Sequence, residues 1–274
     1  MMRKLIVTAD DLGAHEAINR GILEAHEEGI VTSASIVPCG RAFDHACRLV
    51  EKRRKLDVGI HLTLVEERPL LGPDEIKTLA PKRALPKTYR QLFMGIVKGR
   101  INLSDIEKEL DAQIQKVLQA GLTVSYVDSH QHTHLFPPLR AMFFRLAAHY
   151  DFKYVRASSR IVPGRTKFSL LLAPLARGMQ RAARKRGIRT ADTLWLPSPS
   201  GHLTGRQLAE GIPKLPEGVT ELVVHPGVDQ KALEREYPDW GFKWQQELAA
   251  LKATDVRDTL FRQNVQLTRY SELV

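Results

Sequence analysis

The sequence predicts an α/β fold: an irregular, TIM-like (β/α) barrel with mostly parallel strands. Three observations predict it. Short β-branched runs alternate with amphipathic stretches along the whole chain, which is how parallel strands with crossover helices read. Roughly seven such runs in 274 residues suit one barrel. Finally, Asp10 and Asp11, His61, His130, Arg156 and His225 each fall at or just after the end of a run. Barrels of this kind place their sites at the carboxyl ends of the strands.

The elements follow in order. Residues 5–8 read as a first strand, and residues 15–28 as a helix closed by Gly29. Residues 32–37 form a second strand, 42–52 a helix, and 57–64 a third strand that carries His61. Residues 65–103 break the rhythm with four prolines and several basic residues. They read as an excursion over the end of the fold, a candidate lid, within a single domain spanning 1–274. A helix over 104–119 has Ser104 as N-cap, Glu107 at the capping-box position and Gly121 as its close. A strand at 123–127 leads into DSHQHTH at 128–134, followed by a helix near 138–149 and a strand ending at Val155 and Arg156. A long basic helix over 167–186, a strand near 193–196, a helix near 204–212 and a strand at 220–224 come next. Two helices and a short strand near 265–268 complete the chain.

Hydrophobic residues are 43% of the chain and charged residues 26%, values of an ordinary globular protein with a sizeable core. The net charge of +10, from 41 Lys and Arg against 31 Asp and Glu, favours anionic partners without identifying one. The two cysteines, Cys39 and Cys47, show no ligand pattern with the histidines and read as reduced thiols. No run approaches the ~18 apolar residues of a membrane span, and the first apolar stretch is too short for a signal peptide. A cytoplasmic enzyme is the expectation.

The segment DSHQHTH carries most of the chemistry. In an extended chain alternate residues share a side, so His130, His132 and His134 are expected to face one pocket. Imidazole is the commonest ligand for divalent metals. Asp10 and Asp11 follow a strand that should be buried, and two neighbouring carboxylates call for a cation. An N-cap explains one such Asp but explains the pair less well. His61 alone would read as a satisfied core histidine; it gains weight from sharing an end with the others. Arg156 can hold a carboxylate by a two-pronged hydrogen bond, and His225 can protonate a leaving group. Assembled, these are one Asp and two His on a metal, a free Asp as base and a separate His as acid. Three protein ligands with open positions are what metal-assisted amide or ester hydrolysis needs.

With TADDLG at 8–13, GIVTS at 29–33, GIHL at 59–62, DSHQHTH at 128–134 and His225-Pro226, the chain resembles the YdjC-like carbohydrate deacetylases, which include chitooligosaccharide deacetylases. The likeness runs in order across nearly the whole chain. It implies an irregular (β/α) barrel and metal-dependent removal of acetyl groups from N-acetylated sugars. Carried over by position, it implies Asp11, His61 and His130 as metal ligands, Asp10 as base, and Arg156 and His225 as supporting residues. Magnesium is the metal it implies; two imidazoles and one carboxylate suit zinc or another transition ion better. Leu12, Gln131 and Thr133 depart from the family's usual residues, which bears on packing or substrate fit more than on the metal. The stretch HLTLVEERP at 61–69 also resembles a hopanoid-biosynthesis branch that acts on a lipid-borne glucosamine.

Residues 168–186 pair an apolar stretch with a basic one, a pattern that could touch an anionic membrane but that a solvated barrel helix also explains. A metal-dependent phosphoesterase is the competing activity. It generally wants more carboxylates, and the chain has no phosphate-cradling glycine loop. A non-catalytic sugar-binding protein would be expected to lack one of Asp10, Asp11, His61 or His130, and all are present. The expected partners are an N-acetylated sugar or glycolipid, not nucleic acid, with a homodimer left open.

Overall fold

A computed structural model describes residues 2–158, 160–162 and 167–273; the side chains of 167–172 lie outside the described residues. Residues 168–172 of the apolar stretch weighed as a membrane contact fall there. Eight strands pair in parallel throughout: β1 (Arg3–Leu12), β2 (Ser33–Ile36), β3 (Asp57–Leu62), β4 (Val124–Ser129), β5 (Arg160–Val162), β6 (Thr193–Trp195), β7 (Gly218–Val224) and β8 (Val265–Leu267). Their order is β4-β3-β2-β1-β7-β6-β5. β8 pairs with the first half of β1, at Arg3 to Leu5, and β2 takes over from Thr8. Two isolated bridges, Val127 to Val155 and Tyr154 to Arg189, link β4 to the chain that enters β6 and close the barrel. The strand expected to end at Arg156 is reduced to those bridges. Regular pairing resumes only at β5, which the sequence did not signal.

Leu5, Ile6, Val7 and Ala9 of β1 are all fully buried. Both faces are covered, so the run is continuous rather than alternating, as in parallel sheets generally. The helices are α1 (Glu16–Glu27), α2 (Phe43–Val50), α3 (Tyr89–Val97), α4 (Leu103–Gln119), α5 (Pro137–His149), α6 (Lys167–Arg184), α7 (Gly205–Gly211), α8 (Gln230–Glu236), α9 (Trp244–Lys252) and α10 (Thr254–Arg262). α1 buries Ala17, Ile18, Ile22 and Ala25, one stripe at helical spacing. The chain thus ends with three helices before β8 instead of two. None of the described helices is long and apolar enough to cross a membrane.

α4 begins one residue earlier than expected. Its N-cap is Asn102 with no side-chain cap bond, and Glu107 reaches Arg145 at 2.9 Å instead of closing a capping box. The acidic residues of this helix do other work. Buried Glu109 accepts from the amides of Leu70 and Leu71 at 2.9 and 3.1 Å. Asp105 accepts from the amide of Thr78 at 2.7 Å, and Gln113 bonds both the amide and the carbonyl of Thr63. Ile76, Leu79, Leu85 and Leu92 of the excursion are themselves buried. These bonds tie residues 70, 71 and 78 of the excursion to α4, and Thr88 and Tyr89 of the same excursion form a wall of the cavity mouth. Glu109→Ala strands three donors, since Gln113 also bonds it. It is expected to cost about 2–4 kcal/mol in urea unfolding; a loss below about 0.5 kcal/mol, the usual surface value, would mean the wall is held elsewhere.

Candidate active site

Adjacent strand residues normally point to opposite faces, yet Asp10 and Asp11 both line one cavity. A bulge explains this. The β1–β2 register shifts between Ala9 and Leu12, and Asp11 sits at a left-handed φ of 69°. Such a conformation costs a non-glycine residue about 1–3 kcal/mol and concentrates at functional sites. Neither Asp caps α1: that role falls to His15, whose Nδ1 accepts from the amide of Ala17 at 3.0 Å.

His61 comes from the end of β3. Its Nδ1–H donates to Asp128 Oδ1 at 2.7 Å, which leaves Nε2 facing Asp11 Oδ1 at 3.6 Å. His130 follows β4 and presents Nδ1 to the same Asp11 oxygen at 3.2 Å, while its Nε2 meets Glu66 at 2.8 Å. The chain does not continue extended past His130. It turns into a 3-10 segment, with Gln131 and His132 at left-handed φ of 51° and 53°. The expected alternation of three histidines therefore fails. His130 and His132 line the cavity, but His134 turns into the core. There it donates from Nε2 to the Arg156 carbonyl at 2.9 Å, bonds Ser129 through Nδ1 at 2.6 Å and stacks on Phe143. Burial holds His134 down at about 4, so it stays neutral.

Arg156 holds a carboxylate with two prongs, and that carboxylate is the protein's own Asp10. Arg156 itself does not line the cavity. It is 1% exposed, and three carboxylates consume its donors. Nη1 and Nη2 grip both oxygens of Asp10 at 2.7 Å each, Nη2 also reaches Asp128 at 2.8 Å, and Nε reaches Glu221 at 2.8 Å. Four of its five N–H groups are engaged in this way, and burial keeps a substrate from the side chain. Burial would raise the Asp10 carboxyl, but the Arg156 guanidinium, helped by His61, holds it well below the usual carboxylate range. Burial likewise works against Asp11, and contact with His130 outweighs it. His130 is pushed up to about 10: burial opposes its charge, but Asp11 and Glu66 on either side favour it.

His225 follows β7. Its amide donates to Glu247 Oε2 at 2.5 Å, and its ring lines the cavity against Phe242. Gly21 of α1 sits where a Cβ would come 2.4 Å from Gly227 Cα, two residues past His225. Gly21→Ala is expected to push that loop away. It should lower thermal stability by about 1–3 kcal/mol and weaken activity without changing metal content. Retention of full activity and stability would show that the loop yields without consequence.

Among the described residues, two sets of side chains could hold a metal: Asp11, His61 and His130, or Asp10, His61 and Asp128. The second is already spoken for. Asp10 and Asp128 are bonded to Arg156, and Asp128 also to His61 and Ser35. In the first, Asp11 Oδ1 is buried without a hydrogen-bond donor, with two imidazole nitrogens converging on it. The Asp128–His61 and Glu66–His130 pairs have the arrangement of the carboxylate–histidine supports found behind metal-binding histidines. The donor set fits a divalent cation. The cavity has a volume of about 570 Å³ and is walled by Tyr89, Leu196, Pro197, Val223, Trp240 and Phe242.

The sequence reading gave no role to Asp128, Glu66, Glu221 or Glu247. Glu221 was discoverable as one charge inside an apolar run, TELVV at 220–224. Asp128 was noticed only as the neighbour of the histidines, and nothing local marks Glu66 or Glu247.

A carbohydrate deacetylase of Halalkalibacterium halodurans is 39% identical over 148 residues, which is 54% of this chain and 61% of that protein. A carbohydrate deacetylase of Brevibacillus brevis is 29% identical over 277 residues, covering 98% of this chain and 99% of the relative. The crystal structure of an Enterococcus faecalis V583 protein, linked by its name to cellobiose-phosphate cleavage, superposes over the full length of both chains with a TM-score of 0.80 at 23% identity. At that identity the likeness concerns the fold alone. The YdjC-like protein family model matches residues 4–262, from the second residue of β1 to the last of α10, and the chain belongs to that family.

Proposed function

We propose that the protein is a metal-dependent hydrolase that removes acetyl groups from N-acetylated sugars. The observation that carries this reading is the division of labour between adjacent aspartates. Asp11 converges with His61 and His130 on one point, while Asp10 beside it is held away by Arg156. The names of the full-length relatives support the substrate class.

Asp11 Oδ1, His61 Nε2 and His130 Nδ1 would hold the ion. Its chemistry is Lewis acidity, which polarises a carbonyl and lowers the pKa of water. Two imidazoles with one carboxylate favour zinc or another transition ion, and magnesium remains the alternative implied by the family. Asp10 is ionised at any working pH and accepts the proton of the attacking water. Each of its oxygens gives only one direction to Arg156, so a lone pair stays open. A carboxylate held this low is a weak base alone and depends on an acidified water. His225 donates a proton to the departing sugar nitrogen, so water and amide become acetate and amine. Trp240 and Phe242 exclude bulk water from one wall.

The test is acetate release from soluble chitooligosaccharides and from a lipid-linked N-acetylglucosamine, each with chelator and after metal restoration. Acetate lost with chelator and restored by metal is the expected result. No acetate from any of these, in protein that holds metal, would overturn the reading. Preference for the lipid-linked substrate would favour the hopanoid-like branch.

A further inference from the structure

Between Ile76 and Leu103 the chain carries seven Lys or Arg and no Asp or Glu. All seven are exposed, and none makes an ion pair among the described residues. A solvated face ordinarily mixes signs, as the ion pairs of α1 and α7 do here. The same segment holds two of the most exposed large apolar side chains described, Met94 at 50% and Val97 at 70%. Both lie on α3. Its inner face is Leu92, Phe93 and Ile96, with Phe93 stacked on Phe136 at 4.0 Å. Arg90, Met94, Val97 and Lys98 follow at i, i+4, i+7 and i+8, so they share the outer face, and Lys87 and Arg100 flank it. The N-terminal end of this helix is the cavity mouth, where Thr88 and Tyr89 line the cavity.

We propose that α3 and its flanks dock on an anionic lipid bilayer and bring the cavity mouth to that surface. Arg90 and Lys98 on the outer face, with Lys87 and Arg100 flanking it and no acidic residue in the segment, complement an anionic surface. Met94 and Val97 among them favour a bilayer, whose headgroup boundary accepts small apolar side chains. A nucleic acid would be expected to meet outward aromatic rings for its bases, and Tyr89 and Phe93 face the cavity and the core instead. The docking makes no use of the metal or of the deacetylation chemistry. It stands or falls separately from the proposed activity.

The experiment is flotation with vesicles of neutral lipid, and of neutral lipid with one third anionic lipid, at low and high salt. Wild type is expected to float with anionic vesicles at low salt, and to be released by salt. Lys87→Gln, Lys98→Gln and Arg100→Gln together should lower the partition about a hundredfold, since each basic residue near such a surface is worth roughly fivefold. Met94→Ser with Val97→Ser should weaken binding at low salt and leave its salt dependence. All these residues are exposed, so unchanged circular dichroism and melting serve as fold controls. No flotation at low salt would overturn the proposal. So would equal flotation of the triple variant. Binding to polynucleotide that the triple variant loses, with vesicle binding indifferent to the Met94 and Val97 changes, would assign the surface to nucleic acid and also overturn it.

Discussion

Asp10→Asn is expected to lower the rate of acetate release about 10²–10⁴-fold, the range for loss of a positioned proton acceptor, without loss of metal. The reason is geometric. Asp10 gives both oxygens to Arg156, whereas the ligand cluster is built on Asp11. The amide keeps the shape and one acceptor but has no charge to receive a proton. Asp11→Asn should do the reverse, and lose metal first and activity as a consequence. Measuring kcat and bound metal together separates the two. If Asp10→Asn protein lost its metal as Asp11→Asn does, the two aspartates would share one role.

Arg156→Met is expected to be the most destabilising single change in the site, at about 3–5 kcal/mol. That is a large part of the 5–15 kcal/mol typical of a whole domain. The guanidinium is the shared partner of Asp10, Asp128 and Glu221, all of them buried. Removal leaves carboxylates facing one another away from water. Arg156→Lys should recover only part of the loss, because an ammonium cannot grip Asp10 with two parallel bonds while bonding Glu221 from a third position. The pH dependence has a definite sign. In the wild type Asp10 lies below its unfolded value of 3.8, so its stabilisation is fully present above that value and is lost progressively as pH falls from there through the lower folded value. In Arg156→Met the uncompensated buried carboxyls are raised, so the folded state binds more protons than the unfolded one. The stability gap between variant and wild type should then narrow as pH falls from neutral toward the carboxylate range. Urea unfolding across pH measures it, and a gap independent of pH would mean the loss is one of packing.

The barrel and the end of it that bears the site were legible because they rest on repeated local signals. β-branched runs recur, and several of them deliver a polar residue at the carboxyl end. The Asp pair was legible as a charge problem in a buried place. What was not legible depends on the path of the backbone between those residues. The three histidines alternate in sequence, but left-handed turns at Gln131 and His132 send His134 into the core. A bulge at Asp11 does the opposite and gathers neighbours that an ideal strand would separate. Which carboxylates Arg156 would hold was not legible, because they come from β1, β4 and β7. Likewise Glu107 looked like helix-capping chemistry, but the fold brings Arg145 to it, and brings residues 70, 71 and 78 to its neighbours Glu109 and Asp105. Pairings between distant segments leave no mark at either position alone.

The most direct test is metal quantification after reconstitution with zinc, cobalt, manganese or magnesium and gel filtration, on wild type, Asp10→Asn and Asp11→Asn. The account predicts one divalent ion per chain in wild type and in Asp10→Asn, and none in Asp11→Asn. Retention of the ion by Asp11→Asn, together with its loss from Asp10→Asn, would contradict the account and place the metal between Asp10, His61 and Asp128.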